Sequence, residues 1–532
     1  MITSIDLLPG EITLDADLCI IGSGAAGLLL ALEFVSSNLD IVILEGGAAH
    51  PNDEAQALYE GEVVNESFRG LTAGRAREFG GTTRLWGGQC VKLDPIDFAH
   101  RPWVPMSGWP IPHQSLEPYY DRAKSRLEVA PVEFDEDPWR RFRLPPLAFD
   151  HDEVRPIHGV FMRRAKLGGR HRATLAAATN IKVLLEANVT AIGTNEQGTE
   201  VSEVTFRGLS GRSGRVRARR VVLCAGGIEN ARLLLLSNLG NTKDQVGRYL
   251  QDHPCGRTAH IVTDRPRPLQ DHFNMLYGRG AFLLPKLALS EASQRAERTL
   301  NCVGRLSYEY ESGSGMKALR DLVVDVFQRR WPDDLNAKLL SVARAAPRMV
   351  PDAWRVARHG LSPAPRPSRI WLETFSEQTP NPASRVTLSD QRDVLGLRRV
   401  RIDWRLDELT GHTLRVFTAK VGTEFARLGL GSLETAAWLD EPVPQYPDVM
   451  DSYHPAGTTR MSDRPSNGVV DTNCQVFGVQ GLYVAGSSVF PTSGAANPTL
   501  TIAALALRLA DHLKTAKRQP DNVAYVREPS IA

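Results

Sequence analysis

Residues 17–45 read DLCIIGSGAAGLLLALEFVSSNLDIVILE, and this stretch decides the fold. Asp17 to Ile21 is a short apolar run of strand type that feeds directly into GSGAAG and then into the helical run LLLALEFVSS. Gly22, Gly24 and Gly27 therefore fall on a strand-to-helix turn. The first glycine permits the tight turn, the second admits a pyrophosphate close to the backbone, and the third lets helix and strand approach. The helix N-terminus offers free N–H groups and partial positive charge to that phosphate. The next strand, DIVILE, ends at Glu45, whose carboxylate suits a ribose 2′-OH and repels a 2′-phosphate, which argues against NADP. The unit predicts a dinucleotide site without distinguishing FAD from NAD.

Working outward, RAREFGGTTRLWGGQCVKLDPIDF (residues 75–98) and the preceding Gly74 place five glycines, Gly74, Gly80, Gly81, Gly87 and Gly88, where backbone can approach something flat or anionic. Arg77, Trp86 and Gln89 can border it, and taken alone the loop is equally compatible with a structural role. Pro and Trp punctuation then gives way to a helix around Leu116 to Leu127. IKVLLEANVTAIGTN and EVTFRG have strand character, and RRVVLCAGGIENARLLLLSN repeats the strand, glycine turn, helix order around a strand too apolar to be half exposed. His253, in VGRYLQDHP, reads as a turn histidine bonded to backbone. Between 316 and 360 lies an Arg- and Ala-rich helical stretch, more readily a solvated face than a docking surface. Ser368 to Leu406 reads as strands of an antiparallel sheet able to wall a pocket.

Composition bounds the possibilities. A chain of 532 residues exceeds the ~250–300 at which single cores stop growing, so two joined domains are expected. A net charge of +2 gives no general attraction to nucleic acid. The six cysteines have no metal, dithiol or haem-attachment spacing and read as reduced thiols. The acidic N-terminus does not read as a signal peptide and no stretch reaches the ~18 apolar residues of a membrane span, so a cytoplasmic location is expected.

The second decisive stretch runs from Asp451 to Leu513. DSYHPAGTTRM sets His454 in a Pro/Gly-rich loop, and GAANPTLTIAALALRLADHL sets Asn497 just ahead of Pro498 at the start of an apolar helix, 499–515. GSGAAG, GGTTRLWGG, CAGGIENARLLLLSN, NPASRVTLS and HPAGTTRM…NPTLT occur in that order. With them the chain resembles the glucose–methanol–choline (GMC) flavin oxidoreductases over nearly its whole length. It is most similar to the branch that includes pyranose oxidase and bacterial glycoside oxidases or dehydrogenases, whose catalytic pair is His and Asn.

The resemblance implies an α/β fold, with a Rossmann-like FAD-binding domain (1–100, 150–260 and 451–532) and an α+β substrate domain built on an antiparallel sheet (101–149 and 261–450, with a helical basic insertion near 316–360). It implies FAD bound by Gly22, Gly24, Ala25, Gly27, Glu45, Arg77, Gly80, Gly81, Thr82, Leu85, Trp86, Val189, Ala225, Gly226, Gly486, Asn497, Pro498 and Thr499. Leu85 stands where several relatives carry the histidine that links FAD covalently, so non-covalent FAD is expected. His454 and Asn497 are the implied catalytic pair.

The chemistry follows from the residues themselves. Oxidising an alcohol carbon removes a proton and a hydride, and the hydride needs an acceptor that no side chain provides, hence the flavin. His454 is the natural base. Asn497 can hydrogen-bond the alkoxide without competing for the proton, and can also cap the helix, whose positive end suits the flavin N1/C2=O region.

A sugar or glycoside secondary hydroxyl is the expected substrate, with Gln89, Phe375, Glu377, Gln378 and Tyr453 as candidate contacts; Glu377 and Gln378 are equally compatible with ending a structural sheet. The electron acceptor, O₂ or a quinone or cytochrome, is left open, as is homo-oligomerisation. A hydroxynitrile-lyase-like activity on the same fold, oxidation of a non-sugar alcohol, and a redox-silent FAD-binding protein are the alternatives.

Overall fold

The computed structural model describes residues 1–64, 68–278, 280–310, scattered positions from 318 to 346, 361, 366–442 and 448–515. The 316–360 insertion lies largely outside them.

One sheet runs, in order, β1 (Ile2–Ser4), β7 (Ile181–Leu185), β3 (Ile41–Leu44), β2 (Ile12–Ile21), β10 (Ser213–Leu223), β9 (Val201–Arg207) and β8 (Asn188–Thr194), with β19 (Leu482–Val484) also pairing β10. Its centre is parallel: β2 pairs β3 on one side and β10 on the other, and β10 pairs β19. The expected buried parallel strand is thus β10, while β8, β9 and β10 form antiparallel hairpins. The Ile and Val side chains of β3 are buried, because helices cover the parallel region. Between β2 and helix Ala25–Leu32, Gly22 adopts φ +101, and a Cβ on Gly27 would collide with the Gly22 carbonyl oxygen. These are the tight turn and close approach that the glycine spacing predicts. Helix Thr499–Thr515 packs on helix Ala25–Leu32 and on helix Glu117–Leu127, where Tyr120 Oη lies 3.0 Å from Thr501 Oγ1.

The second sheet is antiparallel: β18 (Ser432–Thr435), β11 (Cys255–Val262), β15 (Arg369–Ser376), β14 (Cys302–Glu309), β13 (Ala281–Leu289), β6 (Val154–Phe161) and β5 (Gln89–Cys90), with β12 (Leu276–Gly278) on β13. One face packs on helix Glu408–Arg427, so closely that a Cβ on Gly304 would lie 2.6 Å from the Phe417 ring. The alternating side chains of the other face include Leu284 and Arg305, which border a cavity.

Two expectations shift. The strands β5 and β6, grouped by sequence with the nucleotide-binding unit, belong to the second sheet. The 368–406 strands do not form one sheet. β15 joins the second sheet, whereas β16 (Arg385–Arg392) and β17 (Arg398–Asp403) pair with β4 (Glu62–Val63) over a small core that includes Phe68, Val386 and Trp404. The crossing between them is fixed by buried polar bonds. Glu377 accepts two bonds from Arg101, at 2.8 and 2.6 Å, and Gln378 accepts from Trp404 Nε1 at 2.7 Å. All six cysteines are free. Among the described residues no helix is long and apolar enough to cross a membrane, and no group of three or more His, Cys, Asp or Glu is placed to hold a metal.

Candidate active site

A cavity of about 520 Å³ opens between the ends of the parallel strands and the second sheet. Of the residues expected around the cofactor, Gly22, Gly24, Ala25, Glu45, Arg77, Gly81, Thr82, Leu85, Trp86, Val189, Ala225, Gly226, Gly486, Asn497, Pro498 and Thr499 line it. Gly27 and Gly80 do not. Both are structural: Gly27 is the helix–strand contact, and Gly80, at φ +98, presses on Gly168.

At the nucleotide end, Glu45 accepts from Ser23 N at 2.9 Å, Ser23 Oγ at 2.6 Å and Gly47 N at 2.8 Å. Arg77 is held by Asn188 Oδ1 at 2.9 Å and lies 5.1 Å over the Tyr59 ring; Asn188 and Tyr59 also line the cavity and carry no spacing signal in the sequence. Cβ atoms on Gly24 and Gly226 would meet nothing within 4 Å. The wall there is bare backbone facing open space beside a helix N-terminus, and this suits the diphosphate and flat rings of FAD.

At the other end His454 lines the cavity with Asn497, Ser452, Tyr453 and Gln89. His454 Nδ1 lies 3.0 Å from His253 Nδ1 and 3.1 Å from Ser452 Oγ. Ser452 Oγ also lies 3.1 Å from Asp252 Oδ1, to which it donates. Ser452 Oγ can accept from His454 Nδ1, and in that tautomer Nε2 is the ring nitrogen without a proton. Asp252, fully buried, also accepts from the backbone N–H of His253 (2.7 Å), Ser452 (2.9 Å) and His454 (2.8 Å), clamping two loops about 200 residues apart in sequence. Burial, then the neighbouring Asp451, raises its carboxyl above the ordinary range.

Burial is also the first cause that moves the histidines. It carries His454 well below the usual imidazole value, with His253 and Lys286 adding to the effect, and it lowers His253 to about 4. Both rings are thus neutral at neutral pH.

Several expectations need correction. Glu377 and Gln378, offered as substrate contacts, are 0% and 1% exposed and do not line this cavity. Glu377 is locked to Arg101. Gln378 accepts from Asp252 N at 2.9 Å and so buttresses the clamp from behind. Phe375 does not line it either; Arg305 and Lys286 lie over its ring at 5.4 and 6.0 Å. His253 is no mere turn residue, since its side chain meets His454. The Asp252-His253-Pro254 run was visible, but nothing in sequence ties it to residue 454.

Comparisons with known proteins place relatives beside this fold. GMC oxidoreductase family models match residues 163–255 and 380–506, the latter containing His454 and Asn497. The large subunit of fructose dehydrogenase from Gluconobacter japonicus is 23% identical over 94% of this chain and 98% of that protein. A C-glycoside 3-oxidase from Arthrobacter globiformis is 37% identical over 120 residues, 22% of this chain and 21% of that protein. Among solved structures, a formate oxidase from Aspergillus oryzae superposes with a TM-score of 0.56 at 16% identity, covering 95% of this chain and 99% of that one, a likeness of fold. With a glycine-lined cradle that fits FAD and family models matching residues 163–255 and 380–506, the chain carries the N- and C-terminal domains of the GMC oxidoreductases and is an FAD-dependent oxidoreductase acting on CH–OH donors.

Proposed function

We propose that the protein oxidises a secondary hydroxyl of a sugar or glycoside, with His454 as base and Asn497 as hydrogen-bond donor to the same oxygen. The observation that carries this reading is the meeting of His454 and Asn497 in one cavity with the glycine cradle. When bound, FAD supplies the hydride acceptor. His454 Nε2 takes the hydroxyl proton, and the proton on Nδ1 stays directed at Ser452 Oγ, which accepts it as the ring acquires charge. The Asn497 amide holds the oxygen as it gains negative charge. The sugar assignment draws on the C-glycoside 3-oxidase and fructose dehydrogenase relatives.

FAD is held without a covalent bond. Leu85, in the loop beside the cradle, lines the cavity and brings no nucleophile to it. A panel of mono-, di- and aryl glycosides, mixed anaerobically with the yellow enzyme and then with air or a quinone dye, tests substrate class and acceptor together. Bleaching by glycosides supports the reading. Bleaching by simple non-sugar alcohols alone, or turnover without bleaching, overturns it.

A further inference from the structure

The cavity wall supplied by the second sheet carries a group of donors that the reaction above does not use. Lys286 on β13 and Arg305 on β14 stand on the same face of adjacent strands, one pair beyond the register Leu287 to Gly304. Like charges placed side by side across strands repel, and an ammonium group taken out of water is costly unless it is paired. Lys286 is 6% exposed. Its one neighbour at hydrogen-bond distance among the described residues is neutral, Gln89 Oε1 at 3.2 Å.

The carboxylate that reaches the pair is Glu373 on β15, and it accepts from Arg305 Nε at 2.6 Å, leaving the two terminal amino groups of the guanidinium for a ligand. One carboxylate against two cations leaves a positive charge over. The Phe375 ring beneath both cations offsets part of the repulsion and none of the net charge. Burial, then Arg305, lowers the Lys286 ammonium to about 7, the response of a cation short of a counter-ion.

A further polar group, Gln89, stands beside them, its Nε2 packed against Gly159. Gln89 Nε2 is buried without a hydrogen-bond partner, although Gln89 lines the cavity. Arg305 and Leu284 line it too, and Lys286, held behind Gln89, stands close enough to act on His454, so the positive charge of this wall faces the chamber that holds His454. Two cations that share one carboxylate describe a site for an anion, and a half-exposed arginine on the cavity wall with a buried lysine beside it suits a carboxylate.

We propose that the substrate oxidised in this cavity carries a carboxylate, bound by the terminal amino groups of Arg305 with Lys286 beside it supplying further positive charge. The inference rests on the glycoside reading of the same cavity and narrows it to acidic glycosides, with the carboxylate on either the sugar or the aglycone.

The first measurement needs no turnover. Holoenzyme is titrated with benzoate and with its neutral isostere benzamide, followed by the perturbation of the flavin absorbance. Benzoate should bind at least tenfold more tightly, and this advantage should fall toward one in both Lys286→Met and Arg305→Gln. The second compares kcat/KM for phenyl glucoside, 4-carboxyphenyl glucoside and phenyl glucuronide. One of the two acids should exceed the neutral glucoside at least tenfold in the parent enzyme and lose most of that lead in the variants; which acid leads places the carboxylate on aglycone or sugar. Equal binding of benzoate and benzamide overturns the proposal, as does an advantage that survives both substitutions. So does an effect of the variants confined to flavin reoxidation by O₂. Discrimination by benzoate with no glycoside turnover would instead overturn the sugar assignment and keep the anion site.

Discussion

His454 works as a base only if it is neutral and only if the right nitrogen is free, and both conditions trace to named neighbours. Its value lies well below the ordinary imidazole range, so the base form is already complete at pH 6.5 and protonation comes at more acid pH. The acid limb of kcat/KM for flavin reduction should therefore lie below pH 6.5; a limb centred above pH 6.5 would mean that the ring is not buried as described. The tautomer depends on Ser452, which joins His454 to Asp252. Ser452→Ala removes a bond that supports a charge, worth about 1.5–3 kcal/mol, and should slow flavin reduction roughly 10- to 100-fold. Stopped-flow absorbance checks this, and unchanged kinetics would assign the orientation to His253 instead. At this scale the sequence was legible where a residue sits inside its own motif, as His454 and Asn497 do. It was silent where a residue acts through a partner far along the chain: His253 and Asp252 look like turn residues until the fold brings them to 454.

At the scale of elements, the strand, glycine turn and helix at 17–32 and the C-terminal helix were legible because backbone conformation alone demands those residues. The demand is testable. Gly27→Ala puts a methyl group against the Gly22 carbonyl oxygen. Overpacking of this kind costs about 1–3 kcal/mol, so thermal unfolding should move to lower temperature and FAD should be retained less well. Wild-type stability with full flavin content would contradict the packing.

The segment 368–406 was legible as strands and illegible as to sheet. Period-two alternation places side chains on two faces and says nothing about which neighbours the edges find. What sends the chain from β15 to β16 is the burial of Glu377 on Arg101 and of Gln378 on Asp252 and Trp404. Those polar residues read equally as pocket contacts and as the end of a structural sheet, because in sequence a buried ion pair and a ligand contact look alike.

Across the whole molecule, the cavity lies where the parallel sheet meets the antiparallel one, and each supplies half of it: the cradle from the first, the donor-bearing wall from the second. The division by sequence put β5 and β6 on the other side of this boundary, because a strand carries no mark of the sheet it will join. With Leu85 at the cradle, acid precipitation of the yellow protein should leave the flavin in the supernatant; flavin pelleting with the protein would contradict non-covalent binding.

The central claim is that one histidine, presented by a loop clamped to Asp252, removes the hydroxyl proton beside the flavin. Its most direct test is the anaerobic rate of flavin reduction by a reducing glycoside in the parent enzyme and in His454→Ala, with FAD content matched. The account predicts a rate lower by about 10²–10⁴ in the variant. An unchanged rate in a His454→Ala protein with a full complement of FAD would contradict it.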